Sequence, residues 1–427
     1  MSQGALPGFR DFYPDQLATR NYLMSVWRDV ARRYGFVEYD GPPLEPLELY
    51  TRKSGDEIVG QLYSFTDKGD REVALRPEMT PTLARMVAAK ANAMRKPIRW
   101  FSIPQLFRYE RQQKGRLREH FQLNVDIIGE SSIAADAELL AVAIDIMRAL
   151  GLDSSDIRAR VSDRRLLTAA LTSVGVGPNE LESVFAAIDK AGREPREVTL
   201  DKVDKAVRNA DARKGVERLL VNSKDLDAMA RDFASSPEVV EEVSRMREYL
   251  SFLSALGVSD WVDFDLSIVR GLAYYTGKVF ELFDAKGEFR AICGGGRYDD
   301  LLATIGGVDL PALGFGMGDV VLTEILRARK LLPDVALGTE YWVASDDDSM
   351  LPDVMSVAGR LRAKSRSVEY ALKSQTLARQ LKTASTAGVR SVVLLRRSDF
   401  ENGKVTVKTM ADGSERSVTL DAFLESL

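Results

Sequence analysis

From about Asp163 to Ala255 the texture of the chain changes, and this change limits the possible folds more than any other feature. Charge becomes dense, Gly and Pro thin out, and apolar residues recur at helical spacing in LLTAALTSVG, ELESVFAAIDKAG, DARKGVERLL and EVVEEVSRMREYLSFLSALG. The flanking stretches are β-rich and punctuated by Gly. Such a tract reads as a helical insertion, with a small core of its own, inside a sheet-based domain. Before it, LYSFTDKGDREVALRPEMT reads as a hairpin around DKGD, and PTLARMVAAKANAMR as a helix. IRWFSIPQLFRYERQQKGRLREHFQLNVDIIGE reads as two β-runs joined by a long basic loop. Pro interrupts GPPLEPLELY, which therefore cannot be a helix interior. After about residue 336, strands and helices alternate to the end, the pattern of a compact α/β domain. The expected fold class is α+β, with domains at 1–330 (insertion about 163–255) and 336–427.

The side-chain inventory then limits the chemistry. Among 427 residues there is one Cys, Cys293, and one His, His120. This excludes an intrachain disulfide, a multi-Cys zinc site and a His-cluster metal site. A His-dependent triad would have to use His120, and nothing nearby supports one. Catalysis must rest on Arg, carboxylates, Tyr, Gln and backbone groups. No run approaches 18 apolar residues, so no membrane span is expected. The N-terminus lacks the apolar centre of a secretory signal, which makes the cytoplasm the expected location. A net charge of -4 disfavours bulk nucleic-acid binding, so RNA contacts would need local basic patches. Residues 360–408 form one such patch, with twelve basic residues against three acidic.

Five segments carry candidate chemistry. In FRYERQQKGRLREHFQ, Arg108, Arg111, Lys114, Arg116 and Arg118 crowd between β-runs, an arrangement suited to ATP phosphates or an RNA end. The same loop reads equally as a solvated hairpin tip. Arg108 follows an apolar pair at a strand end, and Glu110, two residues on, shares its face. In IVRGLAYYTG, Arg270 beside Gly271 suits an anionic substrate, with Tyr274 and Tyr275 after it; a structural Arg with core tyrosines is the plainer reading. The glycines of AICGGGRYDD form either a pocket floor or a tight turn, and Cys293 reads as a small buried residue. GFGMGD lacks dinucleotide-binding spacing and reads as close packing of strand on helix. In ALRPEMT, Glu78 suits an ammonium group or is a surface carboxylate.

Taken in this order, GFRDFYP, GPPLEP, LRPEMT, FRYERQQKGRLREHFQLNVDIIG, RGLAYYTG, GGGRYDDLL and ARQLKTASTAGVRSVVLL resemble the histidyl-tRNA synthetase family of class II aminoacyl-tRNA synthetases. The resemblance runs nearly end to end, and RGLAYYTG with GGGRYD is its most specific part. It implies a six-stranded antiparallel catalytic sheet, a helical insertion and a C-terminal α/β anticodon-binding domain. It also implies ATP and Mg2+, L-histidine and tRNA(His), and a homodimer with Pro42 at its interface. Residue by residue, it gives Glu78 and Thr80 to the α-amino group of histidine, and Gln122, Asp126, Tyr274 and Tyr275 to the amino-acid pocket. Arg108 and Arg270 become the catalytic pair on carboxylate and α-phosphate, with Glu110 near adenine. Arg111, Lys114, Arg116 and Arg118 become tRNA contacts, and His120 is expected to be replaceable.

The chain departs from the family pattern at Asp126 (often Glu), at Ala273 (often Asp) and at Val321, where the third class motif usually carries Arg. Arg290, Arg297, Arg327 and Arg329 are the candidate substitutes. The missing Arg favours an alternative, a non-catalytic histidine-sensing relative of the ATP phosphoribosyltransferase regulatory subunit. The C-terminal domain argues against that alternative.

Overall fold

The computed structural model describes residues 4–51, 59–111, 115–191, 194–269, 274–333 and 338–427. Lys114, Arg270, Gly271 and Ala273 lie outside the described residues. The chain divides into two compact units, Met1–Phe12 with Thr19–Leu332, and Tyr13–Ala18 with Pro333–Leu427.

The first unit is built on six antiparallel strands in the spatial order Ile98–Ser102, Glu119–Ile128, Ala312–Gly318, Cys293–Arg297, Lys278–Asp284, Ile157–Asp163. A short parallel strand is added at each edge, Val37–Glu38 and Val262–Phe264. Segments on both sides of the helical tract thus supply the sheet. The expected hairpin forms from Tyr63–Thr66 and Glu72–Leu75, and Leu44–Pro46 joins it as a third strand. One face of the large sheet packs on the helix Ile133–Ala149, which is buried on nearly every side.

The helical tract runs from Arg164–Ser173 to Pro237–Ala255, but its separate core does not exist. Leu166, Val184, Val216, Met229 and Met246 belong to the same apolar cluster as Leu123, Val125 and Leu140 of the sheet and its helix. The reason is geometric: Pro237–Ala255 packs against both Ile133–Ala149 and Arg164–Ser173, so the apolar faces are continuous.

The second unit holds a five-stranded sheet in the order Val368–Tyr370, Tyr341–Ser345, Ser391–Leu395, Lys404–Thr409, Glu415–Thr419. The first three strands are mutually parallel and the rest antiparallel. Tyr341–Ser345 is buried on both faces: Tyr341 and Val343 join the core under helix Leu351–Ala363, while Trp342 and Ala344 join the core under helix Leu377–Thr386. Alternation at period two places them so. The strand Glu415–Thr419 was not expected, because ERSVT is polar and mostly exposed at the sheet edge. No described helix is long and apolar enough to cross a membrane.

Candidate active site

The ten-residue strand Glu119–Ile128 organises the site. Its odd-numbered side chains Leu123, Val125 and Ile127 enter the core. The even-numbered ones, Gln122, Asn124 and Asp126, face a cavity of about 270 Å³ on the other side. Gln122 Nε2 donates to Asn124 Oδ1 (2.8 Å), and Asn124 Nδ2 donates to the Gln122 carbonyl (3.1 Å), which fixes both amides. Glu78 and Thr80 reach the same cavity from the start of helix Thr80–Ala88, and Tyr274, Tyr275 and Tyr298 close it. Tyr274 lies 5.2 Å from Tyr275 and 5.9 Å from Tyr298 between ring centroids, an aromatic wall with polar tips.

Asp126 is buried, and the Tyr298 hydroxyl donates to its Oδ1. Burial pushes the Asp126 carboxyl up to about 7, partly opposed by that hydrogen bond. The unfolded chain ionises the same group near 4. Because the folded pKa is raised, stability falls as pH climbs from about 4 to about 7 and is flat above. Asp126→Asn keeps an acceptor for Tyr298 and removes this dependence. Relative to the unaltered chain, the variant should be more stable at pH 8 than at pH 5, by on the order of 1–3 kcal/mol in denaturant unfolding.

A second cavity of about 920 Å³ adjoins the first. Arg108, Glu110, Arg116, Gln122, Gly294 and Gly316 line both, so the two share a wall. Arg108 Nε donates to the Pro77 carbonyl (2.9 Å), which anchors one edge of the guanidinium beside Glu78. Arg116 pairs with Glu110 Oε2 at 3.0 Å. His120 also lines the larger cavity, 3.4 Å from Gln122 Oε1. Burial, with Arg108 nearby, depresses its pKa to about 3, so it stays neutral at working pH. His120→Gln should therefore retain substrate-dependent turnover within about tenfold; a loss of about 10² or more would mean that the ring moves protons.

The structure thus brings Glu78, Thr80, Arg108, Gln122, Asp126, Tyr274 and Tyr275 around one cavity, and Arg108 with Glu110 around the next. Arg108 and Glu110 meet there for a different reason than the one expected. Their strand ends at Phe107, and a tight turn in which Glu110 N donates to the Arg108 carbonyl (2.7 Å) turns both side chains inward. The basic segment separates into roles. Arg111 is exposed, whereas Arg116 faces the cavities. Arg118 stacks over Tyr109 (4.0 Å to the ring centroid), and its N–H donates to the Gly8 carbonyl (2.9 Å).

The glycine readings need correction. Gly294, Gly295 and Gly296 form no tight turn; they lie inside the buried central strand Cys293–Arg297, where Gly294 lines both cavities as a pocket floor would. Gly314 and Gly316 do not serve strand-on-helix packing. Gly314 sits opposite Asp126 and Gly316 opposite Asn124 in the sheet register, and a Cβ would overlap the Asp126 side chain at the first and the Gln122 side chain at the second. Asn124 and Tyr298 escaped the sequence reading. Period-two alternation from Gln122 and Asp126 would have found Asn124, but Tyr298, although it stands in GGGRYD, arrives from another strand end, and nothing local assigned it to the pocket. Asp319, two residues before Val321, is structural: it is buried, accepts from Phe121 N (3.0 Å) and pairs with Arg10 (2.9 Å).

Comparison with known proteins supplies a second line of argument. A family model described as "Histidyl-tRNA synthetase" matches residues 8–319, and one described as "Anticodon binding domain" matches residues 337–427. The chain is 42% identical over 424 residues to a histidine–tRNA ligase of Opitutus terrae, covering 97% of this chain and 95% of that one. It is 40% identical to the chloroplastic/mitochondrial histidine–tRNA ligase of Arabidopsis thaliana, covering 97% and 84%. The crystal structure of histidyl-tRNA synthetase from Nostoc sp. PCC 7120 superposes with a TM-score of 0.83 at 23% identity, covering 100% and 99%. A Bacillus halodurans structure described as an ATP phosphoribosyltransferase regulatory subunit/histidyl-tRNA synthetase superposes at 0.75 with 21% identity, covering 93% and 99%. At these identities the two superpositions speak to the fold alone.

Proposed function

This chain belongs to the histidyl-tRNA synthetase family, and from that premise we propose a residue-level account of its chemistry. It is a ligase that charges tRNA(His) with histidine. The smaller cavity takes L-histidine. Glu78 and Thr80 receive the α-amino group, and Asp126, held by Tyr298, accepts the imidazole N–H. Gln122, Tyr274 and Tyr275 complete the fit. A pocket whose buried polar groups must all be paired rejects ligands that leave them unpaired, by about 10⁴ or more. The larger cavity takes ATP. The carboxylate oxygen of histidine attacks the α-phosphorus, the α–β anhydride bond breaks, and pyrophosphate leaves. Arg108, with Arg270, offsets the repulsion between the two anions. The terminal ribose hydroxyl of tRNA then attacks the histidyl carbonyl carbon, AMP leaves, and the substrate phosphate takes the hydroxyl proton.

The observation that carries this account is the shared wall: one side chain, Arg108, faces both an amino-acid-sized cavity and a nucleotide-sized one. Mg2+ fits the larger cavity, since Glu281 presents a carboxylate there, the hard oxygen donor this ion prefers. When bound, it would neutralise charge on the phosphate oxygens. We assign residues 1–330 to catalysis and 336–427, with the basic excess of residues 360–408, to the anticodon stem; Arg111, Lys114, Arg116 and Arg118 serve the acceptor end. The enzyme works in the cytoplasm as a homodimer. Leu44 and Phe65 are exposed on the small three-stranded sheet and Pro42 is exposed just before its first strand, and a second copy would cover them. Light scattering should give twice the chain mass, and Phe65→Asp should shift it toward one.

The test of the activity is histidine-dependent ATP–pyrophosphate exchange followed by charging of tRNA(His). Exchange that ignores histidine, or none at all, would reject the account. The regulatory reading has less support: relatives at 40% identity or more along almost the whole chain are ligases.

A further inference from the structure

The third class motif places Val321 where a cation would be expected, and the structure ranks the four candidate replacements. Arg297 is buried and committed to Asp136 (3.0 Å), Asp299 (3.1 Å) and the Glu130 carbonyl (3.0 Å). Arg329 is shared among Asp156, Asp284 and Glu288 at 2.9–3.2 Å. Arg327 is exposed on helix Asp319–Ala328 and lines neither substrate cavity. Arg290 alone of the four lines the nucleotide cavity, and it does so beside Val321. A Cβ built on Gly115 would lie 3.3 Å from Val321 Cγ2 and 4.0 Å from Arg290 Cδ, so both side chains flank one small patch of backbone.

Position along the cavity decides what Arg290 would meet. The α-phosphorus must sit at the shared wall, within reach of the histidine carboxylate. The rest of the nucleotide then extends away from Asp126 and Tyr298, toward Phe289, Arg290 and Val321. Arg108 stands at the shared wall itself, and Arg116 is tied to Glu110. His120 also lines this cavity but is neutral there. Arg290, an exposed residue lining the cavity beside Val321, is thus the described cation at its far end. A planar fork of donors suits non-bridging phosphate oxygens better than an ammonium does.

We propose that Arg290 binds the β- and γ-phosphates of ATP, supplying from the turn before the Cys293–Arg297 strand the charge that position 321 lacks. The inference rests on the ligase reading and deepens it. It is tested by exchange kinetics on the full-length chain, with ATP and histidine varied separately. Arg290→Ala should raise KM for ATP by roughly tenfold or more and lower kcat, while KM for histidine stays within about twofold, as removal of one charge-assisted phosphate contact requires. Arg290→Lys should fall between the two. Adding Val321→Arg to Arg290→Ala should restore much of the lost ATP affinity, which a merely structural role for Arg290 would not allow. ATP parameters of Arg290→Ala within about twofold of the unaltered chain, or an equal loss for both substrates, would overturn the assignment. Absence of exchange by the unaltered chain would instead remove the ligase reading, and this inference with it.

Discussion

Arg108→Ala should lower histidine-dependent ATP–pyrophosphate exchange by on the order of a thousandfold while leaving the thermal midpoint nearly unchanged. The rate loss follows from the chemistry. A carboxylate and a triphosphate repel, and negative charge accumulates on the oxygens around the α-phosphorus as the new bond forms. A guanidinium already aimed at that point acts without reorganisation, and with water excluded its effect is worth several kcal/mol. The small effect on stability follows from the structure. Arg108 is half-buried, its Nε bond to the Pro77 carbonyl is a single contact, and the turn around it is held by backbone bonds to Arg118 and Glu110. Arg108→Lys should recover little, because an ammonium cannot hold the Pro77 carbonyl and still present a planar edge to phosphate. Arg270→Ala should show a comparable loss, since two anions in one cavity call for two guanidiniums. Exchange by Arg108→Ala within about tenfold of normal would show that Coulombic compensation is not what this side chain provides.

How much of this was legible in the chain depended on whether a feature is local. The individual β-runs and the inserted helices could be read because strand alternation and helical period are local signals, and both survive in EHFQLNVDII and EVVEEVSRMREYL. The six-stranded sheet came only with the family resemblance. The pocket side chains of strand Glu119–Ile128, Gln122 and Asp126, came from that resemblance rather than from the period. What could not be read were juxtapositions. Tyr298 meets Asp126 across 172 positions of chain, and no pattern near either residue announces the bond. The missing insertion core belongs to the same class of error. Apolar faces at helical spacing state that a face is buried, but not against what, and here the neighbour is the main core. Glycine misled the most: AICGGGRYDD has turn-like composition yet is a central strand, and the glycines of GFGMGD, read as strand-on-helix packing, instead make room for Asp126 and Gln122. Glycine enters a strand when a neighbouring side chain or backbone needs the space, and that need is visible only in register.

That register leads to the second large effect. Gly314→Ala should cut kcat/KM for histidine by on the order of a hundredfold, because the pocket has no room for one methyl group. Gly314 pairs with Asp126 across the sheet, and a Cβ there would run into the Asp126 carboxylate and lie 2.8 Å from the Val125 carbonyl. The carboxylate cannot simply swing aside, since it is buried and takes the Tyr298 hydroxyl. Relief must come from spreading the strands or breaking that bond, and either displaces the group that reads imidazole. Overpacking of this kind also costs about 1–3 kcal/mol of stability, so the histidine defect should be scored well below the variant's melting midpoint. Gly316→Ala should be milder, because its methyl meets the far end of the Gln122 side chain, which can turn at the cost of its hydrogen bond to Asn124 Oδ1. Gly318→Ala meets no atom within 4 Å, and should leave KM for histidine within about twofold of normal. The order 314, 316, 318 along one strand therefore separates a pocket carved by glycine from a strand that merely tolerates it. Equal effects at all three positions would mean that the glycines serve the backbone and that the space beside Asp126 is incidental.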